Sequence, residues 1–134
     1  MERTFAIIKP DAVAAKNAGK IIDMIESNGF NVVAMEKITM TQEQSNALYQ
    51  EHSARSFFGE MVDTMTASPI VIMCLEKDNA VLGWRDLMGA TNPKDAAAGT
   101  VRALFGVNIG ANAAHGSDSL ASAARELAIF FPKL

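Results

Sequence analysis

His115 stands in Asn112-Ala113-Ala114-His115-Gly116-Ser117-Asp118-Ser119, a run of small and polar residues directly ahead of a helical pattern. A neutral imidazole nitrogen attacks phosphorus without first losing a proton. A helix N-terminus offers free backbone N–H groups and a positive dipole end, a natural seat for phosphate. The segment therefore reads in two ways. Either His115 is a nucleophile toward phosphorus, or it is a loop histidine beside a cap formed by Ser117 to Ser119, and spacing alone favours the second. Glu126 lies one to two turns into the helix, on a face with Ser119 and Ser122. A carboxylate there either orients His115 or is simply solvated.

The cations form a second group. Lys9 ends a strand-like run immediately before Pro10-Asp11, and Arg102 precedes the histidine segment. Tyr49 and His52 are spaced i, i+3, with Arg55 about a turn further on. Arg85 interrupts an apolar stripe of Val81 and Met88, which is costly unless the guanidinium meets an anion. Singly, each reads as a surface salt-bridge former. Together, in a chain of net charge −3, they supply the scattered cations that a polyphosphate site needs. Phe57-Phe58 offers either a stacking plate for a base or core packing. Trp84 and the methionines read as packing, and Cys74 as a small hydrophobe. No G-x-x-x-x-G-K-[ST] and no G-x-G-x-x-G occurs, so nucleotide binding here is neither Walker-type nor Rossmann-type.

These residues need a scaffold. Thr4 to Lys9 is rich in strand formers and stopped by Pro10. Ile21, Met24, Ile25 and Asn28 fall at helical spacing from about Asn17 to Asn28, with Gly29 placed to end the helix. Phe30 to Met40 is strand-like, and Thr41 with Gln44 reads as a capping box opening a helix to about His52. A further helix is expected over Phe57 to Thr66. Ile70 to Leu75 suits a strand buried on both faces. Asp78 or Asn79 is expected to cap a helix to about Met88. Gly89 to Pro93 is an exposed loop by its turn chemistry, and Thr100 to Leu104 a short helix. Leu120, Ala123, Ala124, Leu127, Ala128 and Phe131 mark the apolar stripe of the last helix, and Ala113 to Ser117 is weakly signalled as a fourth strand. Strands alternating with helices argue for an α/β sandwich, a sheet covered by helices.

The bulk properties exclude several classes. The 134 residues, 49% hydrophobic and 20% charged, fit one compact domain over 1–134 with its own core. A pI near 5.3 disfavours indiscriminate binding to nucleic acid or anionic lipid. Cys74 is the only cysteine, which leaves no intrachain disulfide and no cysteine-rich zinc site. No apolar run approaches the ~20 residues of a membrane span, and the N-terminus lacks the pattern of a signal peptide. A cytoplasmic protein is expected.

The segment around His115 resembles the signature of the nucleoside diphosphate kinases, and the resemblance extends over nearly the whole chain. Ile8-Lys9-Pro10-Asp11 resembles that family's first-strand motif, and Tyr49 through Phe58 its nucleotide-clamp segment. Trp84-Arg85 through Gly89-Ala90-Thr91-Asn92-Pro93 is similar to its next helix and loop, and Thr100-Val101-Arg102 to the helix after that. The resemblance implies a ferredoxin-like α/β sandwich on a four-stranded antiparallel sheet. It implies that His115 is phosphorylated during turnover, with Glu126 and Ser117 orienting it. Lys9, Tyr49 and Asn112 would lie around the ribose and the transferred phosphoryl group. His52, Arg85 and Thr91 would hold the β-phosphate side, and Arg102 the transferred phosphate. Phe57 would stack on the base, with Met61 and Ile109 lining the slot. Ser56 stands where the family commonly has proline, and Met61 and Ile109 replace its usual leucine and valine.

The activity so implied moves the γ-phosphoryl group of ATP, GTP or another triphosphate to a nucleoside diphosphate in ping-pong fashion. Mg²⁺ would bridge the phosphates with few or no protein ligands. A homo-oligomer, tetramer or hexamer, is implied, with no membrane and no obligatory nucleic acid. Two rival readings remain at this level: a nucleotide-binding regulatory module, and a histidine phosphocarrier. The first would lack the nucleophile or its neighbours; the second leaves the group of Phe57, Arg85 and Arg102 unexplained.

Overall fold

The computed structural model describes residues 1–50 and 63–134. Four strands, β1 (Glu2–Ile8), β2 (Asn31–Ile38), β3 (Ile70–Lys77) and β4 (Ala114–Gly116), form one sheet in the order β2-β3-β1-β4. Every pairing is antiparallel, as the expected four-stranded sheet requires. Six described α-helices accompany them: α1 (Pro10–Ala14), α2 (Ala18–Ser27), α3 (Gln42–Leu48), α4 (Ala80–Met88), α5 (Val101–Phe105) and α6 (Leu120–Phe130). Residues 63–66 are also helical, and Pro93–Asp95 forms a 3-10 turn.

The sheet is covered on both faces, which explains why β1 and β3 are continuous apolar runs. Side chains alternate across a strand. Ala6 and Ile8, with Val71, Met73 and Leu75, pack against Ile21 and Ile25 of α2 and Trp84 and Met88 of α4. Phe5 and Ile7, with Ile70 and Ile72, pack against Leu48, Tyr49 and Phe130. Cys74 is fully buried, as a small hydrophobe would be. The local signals act where they were expected to. Thr41 and Gln44 form the reciprocal capping box of α3, and Gly29 at φ +86° ends the turn after α2 in a conformation that favours glycine.

Three local expectations are corrected. Asn79 occupies the N-cap position of α4 but sits at φ +57° and caps nothing with its side chain. The carboxylate of Glu2 accepts the Val81 N–H instead, at 2.7 Å; a cap drawn from a distant strand leaves no local pattern. Arg85 does not interrupt the buried stripe of α4, because Trp84 and Met88 hold the inward positions and Arg85 is exposed. The buried face of α6 is Ala123, Glu126 and Phe130, while Leu120, Ala124 and Ala128 are exposed. A hydrophobicity count treats glutamate as outward-facing, so it misses a helix rotated to bring one carboxylate inside.

β4 is short and holds its place through close approach. Trp84 is fully buried and its Nε1–H donates to the carbonyl of His115 at 3.1 Å. A Cβ on Gly116 would lie 2.5 Å from Trp84 Cδ1 and 2.6 Å from Met88 Cε. Glycine is therefore required for the indole to reach the strand. We expect Gly116→Ala to lower stability by about 1–3 kcal/mol, the usual cost of overpacking, measured as a reduced midpoint of denaturant unfolding.

Candidate active site

His115 lies on β4, opposite Ile7 of the central strand β1. It is not at the mouth of the last helix: α6 is capped by Ser119, whose Oγ accepts the Ser122 N–H. The imidazole is instead fixed by α6 from the side. Its Nε2 lies 2.9 Å from Glu126 Oε1, and Ser117 Oγ donates to the same oxygen at 3.0 Å. Glu126 is 4% exposed and Ser117 fully buried. An ionised carboxylate accepts and cannot donate, so the bond to Glu126 places the imidazole proton on Nε2 and leaves a lone pair on Nδ1. The rings of Phe5 and Tyr49 stand edge-on to the imidazole, with centroids 6.2 and 6.4 Å away.

Above this group opens a cavity of about 670 Å³, within the usual range for a small-molecule site. Lys9, Tyr49, Arg85, Thr91 and Arg102 line it, as do Ile109, Asn112, His115 and Glu126. Ser117 stands behind, reaching the cavity only through Glu126. Residues 51–62 lie outside the described residues, and with them the expectations for His52, Phe57 and Met61.

The cations are held by the frame. Lys9 follows directly on β1 and points its Nζ at Asn112 Oδ1, 3.0 Å away, and at the Gly110 carbonyl. Asn112 in turn donates to the carbonyl of Thr91 at 3.0 Å, tying the loop after α4 to the segment before β4. Arg102 donates to the carbonyls of Gly89 and Ala114, at 3.0 and 2.9 Å. Its Nε is buried with no acceptor among the described residues. Arg85 pairs with Asp118 at 2.5 Å across the rim. This exposed pair carries little stability and leaves the guanidinium free to exchange partners.

Burial lowers the Lys9 ammonium below the ordinary lysine range, against an upward pull from Asp11 and assisted by Arg102. Burial, with a smaller contribution from Arg85, also lowers Arg102, which stays protonated because guanidinium does not titrate in proteins. Tyr49 is pushed above the ordinary phenol range by burial and by Glu126, so its hydroxyl stays neutral. A cavity that weakens its own lysine through desolvation gains most from a bound anion. Among the described residues no group of three His, Cys, Asp or Glu side chains could hold a metal ion.

Two contributors carried only faint local signals. Asp118 sits within the histidine motif itself, and the exposed Arg85 finds its anion there. Arg125, next to Glu126, donates to the carbonyls of Ala47 and Leu48 at the end of α3, at 2.8 and 3.4 Å. It thus joins the helix that carries Tyr49 to the helix that carries Glu126. Nothing in the spacing of Arg125 marks a contact 77 or 78 residues away.

Comparisons with known proteins point to one family. A family model described as nucleoside diphosphate kinase matches residues 2–134. The chain is similar to a nucleoside diphosphate kinase of Pelobacter propionicus, 54% identical over 134 residues, covering 100% of this chain and 98% of that protein. It is 56% identical over 133 residues to that of Campylobacter fetus subsp. fetus, covering 99% and 97%. Among solved structures it superposes on the Aquifex aeolicus nucleoside diphosphate kinase with a TM-score of 0.95 at 38% identity, covering 97% of this chain and 94% of that one. The enzyme from Encephalitozoon cuniculi gives 0.95 at 36%, covering 98% and 89%.

The lowered Lys9 has a consequence for anion binding. An anion prefers the protonated ammonium, so affinity for inorganic pyrophosphate should fall as pH rises through a value below the ordinary lysine range. Lys9→Arg, whose guanidinium stays charged, should lack that fall. Calorimetric titrations across the alkaline range decide it; equal pH profiles for the two proteins would contradict the assignment.

Proposed function

The chain belongs to the nucleoside diphosphate kinase family, and we propose that it performs that family's phosphoryl exchange through His115. The observation that carries the reading is His115, braced by Glu126 and Ser117, at a cavity lined by Lys9, Arg85 and Arg102. Nδ1 attacks the γ-phosphorus of a nucleoside triphosphate. The N–P bond forms as the bond to the β-phosphate oxygen breaks, and the diphosphate leaves. No proton need leave Nδ1, since Nε2 already carries it. The positive charge that develops on the ring is stabilised by the buried carboxylate of Glu126. A second diphosphate then binds in the same place, and its terminal oxygen takes the phosphoryl group back from Nδ1.

The cations supply the rest. Lys9 and Arg102, held in place before substrate arrives, stabilise charge on the transferred phosphoryl oxygens. Arg85 leaves Asp118 for the β-phosphate, beside Thr91. Tyr49 and Asn112 line the ribose side, and Ile109 the base side. His52, Phe57 and Met61 are proposed from the family resemblance alone, His52 for the β-phosphate and the other two for the base.

Mg²⁺ fits this donor set as a nucleotide-borne ion. Among the described residues, the two acidic side chains at the cavity are Glu126, which accepts from His115 and Ser117, and Asp118, which accepts from Arg85. Phosphate oxygens and water would therefore complete most of its shell, with Asp118 available at the rim. When bound, the ion neutralises phosphate charge. We further propose that residues 1–134 act as one domain in a cytoplasmic homo-oligomer, tetramer or hexamer. No helix among the described residues is long and apolar enough to cross a membrane.

The reading has direct tests. His115→Asn should still bind ADP and show essentially no transfer from ATP to GDP in a double-label assay. Turnover like that of the unmodified enzyme would end the phosphohistidine mechanism. One site serving donor and acceptor in turn should also give parallel double-reciprocal lines and an isolable, acid-labile phosphoenzyme. Intersecting lines with no labelled protein would indicate direct transfer in a ternary complex.

Base selectivity should be weak, because Phe57, Met61 and Ile109 can stack and exclude water but read no base edge. Kinetics with ADP, GDP, CDP, UDP and dTDP should show all accepted and purines favoured. Phe57→Ala should weaken all of them, by about 1–3 kcal/mol for the best stackers.

A further inference from the structure

Ala113, two residues before His115, is fully buried and sits at φ +74°. An L-residue with a Cβ rarely takes this conformation, and doing so strains the backbone. The Ala114 N–H donates to the carbonyl of Asn112 at 2.9 Å, closing a three-residue turn around Ala113. A γ-turn with positive central φ is the rare, strained form of its class. Such conformations persist only where the surroundings over-determine them, and they gather at functional sites.

The surroundings here are a single corner of the chain. The carbonyl of Ala113 accepts the Lys9 N–H at 2.9 Å, and its N–H donates to Asp11 Oδ2 at 3.1 Å. Both backbone groups of the strained residue are thus held by Lys9-Pro10-Asp11. Pro10 stiffens that corner with its fixed φ at the first turn of α1. The turn is flanked by working groups. Asn112 receives Lys9 Nζ and donates to Thr91. The carbonyl of Ala114 accepts from Arg102, and His115 follows.

We propose that Asp11 is a positioning residue: its carboxylate holds the strained Ala113 turn and thereby sets Asn112 and His115 for phosphoryl transfer. The proposal rests on His115 as the phosphorylated residue. Without the acceptor, the buried Ala113 N–H has no partner. Only the Lys9 N–H on the Ala113 carbonyl then opposes the strain, and with one brace of two gone the turn relaxes toward negative φ. Asn112 and β4 are displaced with it. Asp11 touches neither the imidazole nor the cavity, so the effect falls on alignment and hence on the chemical step. The rival account is that Asp11 acts through its negative charge on Lys9. The two accounts separate, because asparagine keeps the carbonyl acceptor and loses the charge.

The experiment measures labelling of the full-length protein by saturating γ-labelled ATP in rapid mixing, together with steady-state kcat and KM. Four proteins are compared: unmodified, Asp11→Asn, Asp11→Ala, and Asp11→Ala combined with Ala113→Gly. Asp11→Ala should slow labelling about 10- to 100-fold with KM changed less than about threefold, the scale of loss that follows a small misplacement of reacting groups. Asp11→Asn should stay close to the unmodified rate. The double variant should recover most of the loss, since glycine adopts positive φ without strain and needs no brace. A slow Asp11→Asn, an unaffected Asp11→Ala or an unrescued double variant would each overturn the role. If Asp11→Ala does not fold, Asp11→Asn and the double variant still decide it. An unmodified protein that takes no label at His115 would instead overturn the phosphohistidine reading, and this inference with it.

Discussion

The buried carboxylate of Glu126 is the constraint to which the site and much of the fold answer. A carboxylate that is 4% exposed is tolerated only with hydrogen-bond donors around it. His115 and Ser117 supply them from β4 and the residue after it. Satisfying Glu126 therefore sets the rotation of α6, and with it the set of apolar residues that face the core. It also sets the imidazole tautomer, leaving Nδ1 with its lone pair. One charged group thus fixes a helix register and the chemistry of a ring on a different element.

β4 is three residues long and, among the described residues, pairs with β1 alone, so the ladder by itself does not explain its place. Trp84 grips it through the His115 carbonyl, Arg102 through the Ala114 carbonyl, and the Lys9 to Asp11 corner through the turn before it. Each comes from a different element. The histidine is immobilised by backbone contacts around it as much as by its own side chain. That is the rigidity phosphoryl transfer needs, since its catalysis is largely positioning and charge stabilisation.

The cations follow the same logic with graded freedom. Among the described residues, Arg102 is bound by two backbone carbonyls, Lys9 by an amide and a carbonyl, and Arg85 by an exposed carboxylate. The two that flank His115 most closely in the hydrogen-bond network are fixed in advance. The one at the rim can exchange its partner. Desolvation lowers Lys9, a cost that a bound anion would offset.

Much of this was legible in the residues. The continuous apolar runs of Phe5 to Ile8 and Ile70 to Leu75, the capping box at Thr41 and Gln44, and the glycine after Asn28 are local physics, decided within a few residues of chain. The histidine motif, the lysine after the first strand and the arginines were visible as types and spacings. Their joint meaning came from family resemblance rather than from periodicity. Tertiary structure alone decided what depends on contacts between distant elements. It turned Glu126 inward against its hydropathy, capped α4 with Glu2 in place of Asn79, and left Arg85 at the rim with Asp118. It also made Asp11 and Arg125 structural partners of residues far along the chain. Short-range signals constrain backbone conformation through sterics and neighbouring hydrogen bonds. The burial of a charge, or the strain in a turn, depends on donors and acceptors that only the completed fold brings within reach.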